Sequence, residues 1–388
     1  DRRPDLYKII TSYDGELNKV YDIGDEYAQF LATAGNITYF TLYSEETDRE
    51  LWRTDGTELG TWLLKDINEG TESSDINYSY VVGDTIYFFA YTQEYGDELW
   101  KSNGTTEGTI LVKDIYEGTD GDVFEFKASN IDNILYFMVD DGIHGRELWR
   151  SDGTEEGTWL VKDIVEGEDG IYAYNLTVYN NILYMFIDNE GSYELWKSDG
   201  TEEGTELVKA LDGEFNYNED AYIIYNNRIY FVTDDDSEGY EFLWKTDGTT
   251  AGTIKLSSSD LELGSITNIK GLSILDDSLY FYARSSVLRD RLFIVDSISN
   301  EFSLIEGDNF SNIFTGPDFV VLNDYMYFVA SKNDSEFELW RTNGTNEGTE
   351  LFIGTTYNEH IIYIHDLIVI VDKLYVLMDS SLATSLGE

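Results

Sequence analysis

The chain has 388 residues, 42% of them apolar and 15% aromatic, which supplies a substantial core and excludes wholesale disorder. Its 76 acidic residues against 25 basic ones give a net charge of −51; nucleic acid and anionic membrane are poor partners for such a field, and cations, basic proteins or a salty medium are favoured. It has no cysteine, so disulfides and zinc–thiolate clusters are excluded, and its most apolar stretch, 361–378, is broken by His365, Asp366, Asp372 and Lys373 and cannot be a membrane helix.

The chain opens with two short β runs at residues 6–12 and 18–23. A unit then begins that keeps returning, and residues 77–115 show it complete. Residues 77–82 form a β run, and Gly83-Asp84 is a tight-turn signal. Residues 85–92 (Thr-Ile-Tyr-Phe-Phe-Ala-Tyr-Thr) are rich in β-branched and aromatic side chains and predict a buried strand. After a polar loop come Glu98-Leu-Trp-Lys-Ser102, the turn Asn103-Gly-Thr-Thr-Glu-Gly108, and a fourth strand at 109–115. An acidic loop leads to the next copy.

The leading leucines of the third strands fall at positions 6, 51, 99, 148, 195, 243, 292 and 339, a period of 45 to 49 residues. The second strands repeat independently as Tyr39-Phe40, Tyr87-Phe88, Tyr136-Phe137, Tyr184-Met185, Tyr230-Phe231, Tyr280-Phe281, Tyr327-Phe328 and Tyr375-Val376. Four short antiparallel strands per period of this length predict β-propeller blades. The expected fold is all-β, an eight-bladed β-propeller in one domain spanning 1–388. Blades are expected at about 27–67, 77–115, 123–164, 172–211, 219–256, 266–305 and 315–353. The eighth is a composite of 361–381 with 5–23, and pairing of these terminal half-blades closes the array and removes exposed strand edges.

The turn Ser/Thr-Asp-Gly-Thr-x-x-Gly-Thr has a structural explanation. Asp or Asn accepts from the backbone N–H two residues on, and Gly supplies a positive φ. Asn103 and Asn343 replace Asp in two copies, which such a turn tolerates and a charge-dependent metal site does not. The aromatic at Trp52, Trp100, Trp149, Trp196, Trp244 and Trp340 suits the wedge between adjacent blades.

The motif Glu147-Leu-Trp-Arg-Ser-Asp-Gly-Thr-Glu-Glu-Gly-Thr-Trp-Leu-Val-Lys-Asp-Ile164, with Asp140-Asp-Gly-Ile-His-Gly-Arg146 before it, resembles the ELWxxDGTxxGT repeat of large, mostly bacterial, secreted or surface proteins. The resemblance covers nearly the whole chain. It implies a propeller-like extracellular repeat protein and transfers no catalytic residue. Residues 291–296 and the N-terminal copy depart from the pattern by lacking the Gly-Thr turn.

Alternating strands sort the loops onto two ends. Loops between second and third strands, and those leading to the next blade, carry acidic runs. The candidate metal ligands are the densest of these, Asp234, Asp235, Asp236 and Glu238, together with Asp140 and Asp141; Ca²⁺ is the cation expected, since clustered carboxylates suit hard ions. Arg284, Arg289 and Arg291 make a basic spot in the sixth blade that either docks an acidic neighbour or pairs locally. His144, His360 and His365 form no readable catalytic group, and no Ser-His-Asp set or phosphate loop is present. The expected function is therefore a non-enzymatic extracellular or cell-surface module for adhesion, a surface layer or a filament, with a protein or glycan partner or self-assembly. A carbohydrate-binding lectin or carbohydrate-active enzyme is the alternative.

Overall fold

A computed structural model describes residues 8–11, 18–22, 28–119, 126–189, 191–215, 222–235, 240–258, 265–287, 290–296, 298–305, 312–313, 319–331, 337–354, 356–357, 360–370 and 372–382. Among these residues there are strands and turns and no helix. The chain divides into two compact units, Asp1–Leu207 and Val208–Glu388.

The first unit is built from four-stranded antiparallel sheets in simple up-and-down order. They are Ala28–Ala34, Ile37–Ser44, Asp48–Thr54 and Trp62–Lys65; then Ser79–Val82, Thr85–Thr92, Gly96–Ser102 and Ile110–Lys113; then Ala128–Ile131, Ile134–Asp140, Arg146–Ser151 and Trp159–Lys162. A fourth sheet follows the same order through Tyr172–Tyr179, Ile182–Asn189 and Ser192–Ser198, and its last strand, Glu206–Ala210, spans the division between the units. Lys8–Thr11 and Asn18–Asp22 pair as a separate two-stranded sheet. These sheets are propeller-type blades, and their strands fall where the repeat predicts them.

In the second unit the pattern loosens. The first strand of the fifth blade is split into Glu214–Phe215 and Tyr222–Tyr225, both paired with Arg228–Asp235. The seventh blade is split in the same way, with Asn312–Ile313 and Val320–Leu322 on Tyr325–Ser331. Ser257–Ser258 adds a parallel fifth strand beside Glu301–Leu304. The last sheet has three strands, Thr356–Tyr357, His360–Ile370 and Lys373–Leu382.

The second strand of each sheet of four or five strands is central and buried on both faces, so it reads as a continuous apolar run instead of an alternating one. Alternate side chains serve different neighbours. Ile86, Phe88 and Ala90 pack with Tyr39, Leu51 and Leu64 of the preceding blade, whereas Tyr87 and Phe89 pack with Leu135, Phe137 and Trp149 of the following one. The motif Leu and Trp are adjacent residues and therefore point to opposite faces: Leu51 and Trp100 meet in one inter-blade layer, Leu99 and Trp149 in the next. The second unit repeats this, with Leu243 against Phe281 and Phe293, and Leu292 against Phe328 and Trp340.

Candidate functional site

Three arrangements carry the polar chemistry of the repeat. The first is the turn between third and fourth strands. Asp152 Oδ1 accepts from Thr154 N at 2.9 Å and from Thr154 Oγ1 at 2.7 Å, and Gly157 N donates to Thr154 Oγ1 at 3.0 Å. Ser151 and Thr158 close the base through a hydroxyl pair at 2.7 Å. Asn103 and Asn343 accept from Thr105 N and Thr345 N at 3.1 Å in the same way, so the amide serves as well as the carboxylate. The turn also receives its neighbour. Lys101 Nζ donates to Gly153 O at 2.6 Å, and Arg53 Nη1 to Gly104 O at 2.8 Å, each from the preceding blade. Tyr87 lies close enough to Gly153 that a Cβ there would sit 2.5 Å from its hydroxyl; Tyr136 and Gly200 stand in the same relation. A polar cleft of about 450 Å³ opens beside this tie, lined by Asp84, Tyr87, Lys101, Asn103, Asn133 and Asp152 among others.

The second arrangement is a buried glutamate latch. Glu50, Glu98 and Glu147, the first residues of the motif, are fully buried. Glu50 accepts from Ile67 N at 2.8 Å and Asn68 N at 3.4 Å, Glu98 from Ile115 N at 2.7 Å and Tyr116 N at 2.9 Å, and Glu147 from Val165 N at 2.9 Å. Each holds the segment that leaves its own fourth strand. Burial pushes Glu50 and Glu147 up to about 7 and Glu98 up to about 8, against the opposing pull of those N–H groups. The later blades vary the device. Glu194 instead accepts from Trp196 Nε1 at 2.7 Å. In the fifth blade Phe242 occupies the motif position, and Glu241, one residue earlier, accepts from Ile269 N on the next blade. In the sixth, Asp290 is fully buried and takes a two-pronged ion pair from Arg284, at 3.1 and 2.7 Å. Arg291 donates to Asp290 O, and Arg289 lies outside the described residues. Arg284 and Arg291 of the basic spot thus pair within their own blade.

The third arrangement is the loop end that the sequence marks as acidic. Asp141 accepts from Ile143 N at 3.0 Å and His144 N at 2.8 Å, and its other oxygen meets His144 Nδ1 at 2.7 Å. Burial would raise the Asp141 carboxyl, but these donors outweigh it and hold it below the usual range; the hydrogen bond to Asp141 raises the imidazole in turn. Asp140 is exposed and caps Gly142 N at 2.7 Å. Asp234 lies on the strand Arg228–Asp235, opposite Glu214 on one side and Glu241 on the other. The backbone of Asp235 closes that strand, and Asp236 and Glu238 lie outside the described residues. Asp140 and Asp141 belong to the first unit, Asp234 and Asp235 to the second. Among the described residues no three His, Asp or Glu side chains are grouped to hold a metal ion.

Sequence reasoning passed over the glutamate latch, since Glu reads as a solvated residue. The available signal was its recurrence next to a buried Leu and, in the copies at Glu50, Glu98 and Glu147, an Asp 16 residues later in Lys-Asp-Ile: Asp66, Asp114 and Asp163.

No family model matches the chain, and no curated protein does. Solved structures do. A prolyl endopeptidase is 11% identical at a TM-score of 0.44, covering 87% of this chain and 52% of its own. A puromycin hydrolase is 13% identical at a TM-score of 0.37, covering 91% and 58%. A variant of that hydrolase complexed with PGG is 11% identical at 0.38, covering 92% and 58%. The chain spans about half the length of the proteins it matches. These findings correct the expectation of a non-enzymatic adhesion, surface-layer or filament module, and with it the exclusion of an enzyme: the proteins found beside the chain are enzymes. At these scores and identities the likeness transfers no activity to this chain.

Proposed function

We propose that this chain is a recognition array that takes a Lys- and Arg-rich polypeptide, as substrate or partner, on its acidic loop end. The observation that carries the reading is how charge is divided in the first unit. Exposed Glu69, Glu94, Glu117, Asp140, Glu166 and Glu168 lie in the segments after second and fourth strands. Arg53 and Lys101 of these blades donate to the turn carbonyls of the next blade at the opposite end and Lys162 reaches Glu202 O at 3.4 Å, whereas Arg49 and Arg146 stand at the loop end. Carboxylates outnumber the cations of the loop end, and the resulting negative field raises the local concentration of a cationic ligand and speeds its arrival. Ca²⁺ is the competing occupant of that field. An arrangement of eight blades closed by the chain's terminal strands, and kinship with ELWxxDGTxxGT-repeat proteins, belong to the same proposal and rest on the repeat spacing.

The test is calorimetric titration with an oligolysine of about ten residues at two salt concentrations, in the presence and absence of Ca²⁺. Neutralising the loop end with Glu166→Gln and Glu168→Gln is expected to weaken binding several-fold. Neutralising the turn end with Glu155→Gln and Glu156→Gln is expected to leave it near the parent value. Equal losses from the two pairs would reject the loop end as the recognition surface.

A further inference from the structure

Beside each buried motif glutamate of the first unit stands a second carboxyl, the Asp that follows the fourth strand. Oδ1 of Asp66, Asp114 and Asp163 is buried, and no hydrogen donor lies against it among the described residues. Oε2 of the fully buried Glu147 is in the same position. The carboxyl groups of Glu98 and Asp114 lie within hydrogen-bonding reach of each other. Two carboxylates in contact, one of them wholly removed from water, cannot both stay ionised cheaply, and an acceptor atom buried without a donor calls for a proton. We propose that Glu98 and Asp114 share one proton, forming a buried acid pair that fastens the exit of the fourth strand and releases it when the proton leaves. The inference does not depend on what the loop end binds.

The surroundings decide which way the pair is biased. Around Glu98 and Asp114 the titratable neighbours are Glu117, which opposes ionisation of Asp114, Lys113, which favours it, and the Tyr95 phenol, which Asp114 raises. The backbone N–H groups of Ile115 and Tyr116 favour one negative charge on Glu98. One proton for two carboxyls satisfies both demands: a charge remains to accept the N–H bonds, and a hydroxyl fills the contact between the groups. Around Glu147 and Asp163 the extra neighbour is His144, whose charge favours ionised Glu147. Around Glu50 burial opposes ionisation most and Asp66 adds to it, while Ser74 donates to the carboxylate. The three glutamates share an aspartate close enough to act on their charge, but only Glu98 and Asp114 lie within hydrogen-bonding reach. Loss of the proton from the Glu98–Asp114 pair sets two carboxylates against each other, and the segment after Lys113 is the part free to move away.

The experiment is amide hydrogen exchange of the segment 114–118 across pH 6 to 9, followed on the whole chain and corrected for the intrinsic rate, with Asp114→Asn as the variant. In the parent, protection is expected to fall by about tenfold per pH unit once the shared proton is lost. The amide of the Asp114→Asn variant cannot become a second carboxylate and offers its N–H groups to Glu98, so the variant should keep its protection to pH 9. Glu98→Gln, if it folds, should likewise show a flat profile. Two results would overturn the proposal: parent protection that is flat with pH, or an Asp114→Asn variant that loses protection as the parent does. High-pH loosening abolished by Ca²⁺ but not by Asp114→Asn would also overturn it, since a metal ion and not a proton would then join the carboxyls.

Discussion

Replacement of Gly153 by alanine tests how the blades are held in sequence. Gly153 has φ +86°, and an alanine in that left-handed region costs about 1–2 kcal/mol on backbone grounds alone. The added Cβ would also sit 2.5 Å from the Tyr87 hydroxyl and 3.1 Å from Lys101 Nζ. Both neighbours belong to the preceding blade, and Lys101 is the donor to Gly153 O. Moving them adds about 1–2 kcal/mol more, in the range of other small-to-large changes in packed sites. Gly83 is the control, since it has φ +61° and nothing within 4 Å of a built Cβ. Gly83→Ala should therefore lose about 1–2 kcal/mol and Gly153→Ala about 2–4 kcal/mol. At the scale of a 150–250-residue unit each kcal/mol lowers Tm by about 2–4 °C, so scanning calorimetry separates the two. Tyr87→Phe removes the hydroxyl that the new Cβ would strike. In the Gly153→Ala background it should recover about half of the excess loss, giving a coupling that a double-mutant cycle resolves. Equal losses at Gly83 and Gly153, or no recovery with Tyr87→Phe, would refute the inter-blade contact as the reason for the glycine.

Three further outcomes follow from the same geometry. Glu50, Glu98 and Glu147 rise from the ordinary 4.5 to about 7–8 in the folded state. The folded chain therefore holds these protons more tightly than the unfolded chain, and their contribution is full below about pH 4.5 and lost as pH rises through 7–8, by up to about 1.4 kcal/mol per pH unit for each group. Tm at fixed ionic strength should accordingly be lower at pH 9 than at pH 6, and an unchanged or higher Tm at pH 9 would contradict the burial argument. Asp152→Asn should be nearly silent at neutral pH, because Asn103 and Asn343 already fill the same turn, whereas Asp152→Ala should cost about 1 kcal/mol in denaturant unfolding. Equal effects of the two changes would show that the turn needs the charge. Arg284→Ala leaves the buried Asp290 without its ion-pair partner and should destabilise by about 1–3 kcal/mol, discounted for the exposed guanidinium.

Much of the fold was legible because the repeat constrains it twice. The Leu-Trp pair and the Tyr-Phe pair recur with the same period, and each marks one strand of the four. The turn was legible because Asp-Gly-Thr is local: its bonds join residues two to four apart. What joins blade to blade was not. The approach of Tyr87 to Gly153 links residues 66 positions apart, and nothing in either segment alone announces it. The splitting of the first strands at 214–225 and 312–322 was also hidden, since the repeat spacing starts these blades at about 219 and 315, after Glu214–Phe215 and Asn312–Ile313. The acidic loop runs drew attention because they are dense. Asp141, however, answers to its own turn and to His144, while the carboxyls with the most perturbed chemistry sit inside the strands, disguised by the apolar residues beside them. Density of charge on a loop reports solvation first. Burial of a single charge, which only the fold reveals, reports chemistry.

The measurement that bears most directly on the recognition proposal is a hydrogen-exchange footprint of the chain with and without saturating oligolysine, at moderate salt. New protection is expected in the loop-end segments 66–72, 114–119 and 163–170, with the turn segments 103–108 and 152–157 unchanged. Protection confined to the turn segments, or none at a concentration where binding is complete by calorimetry, would contradict it.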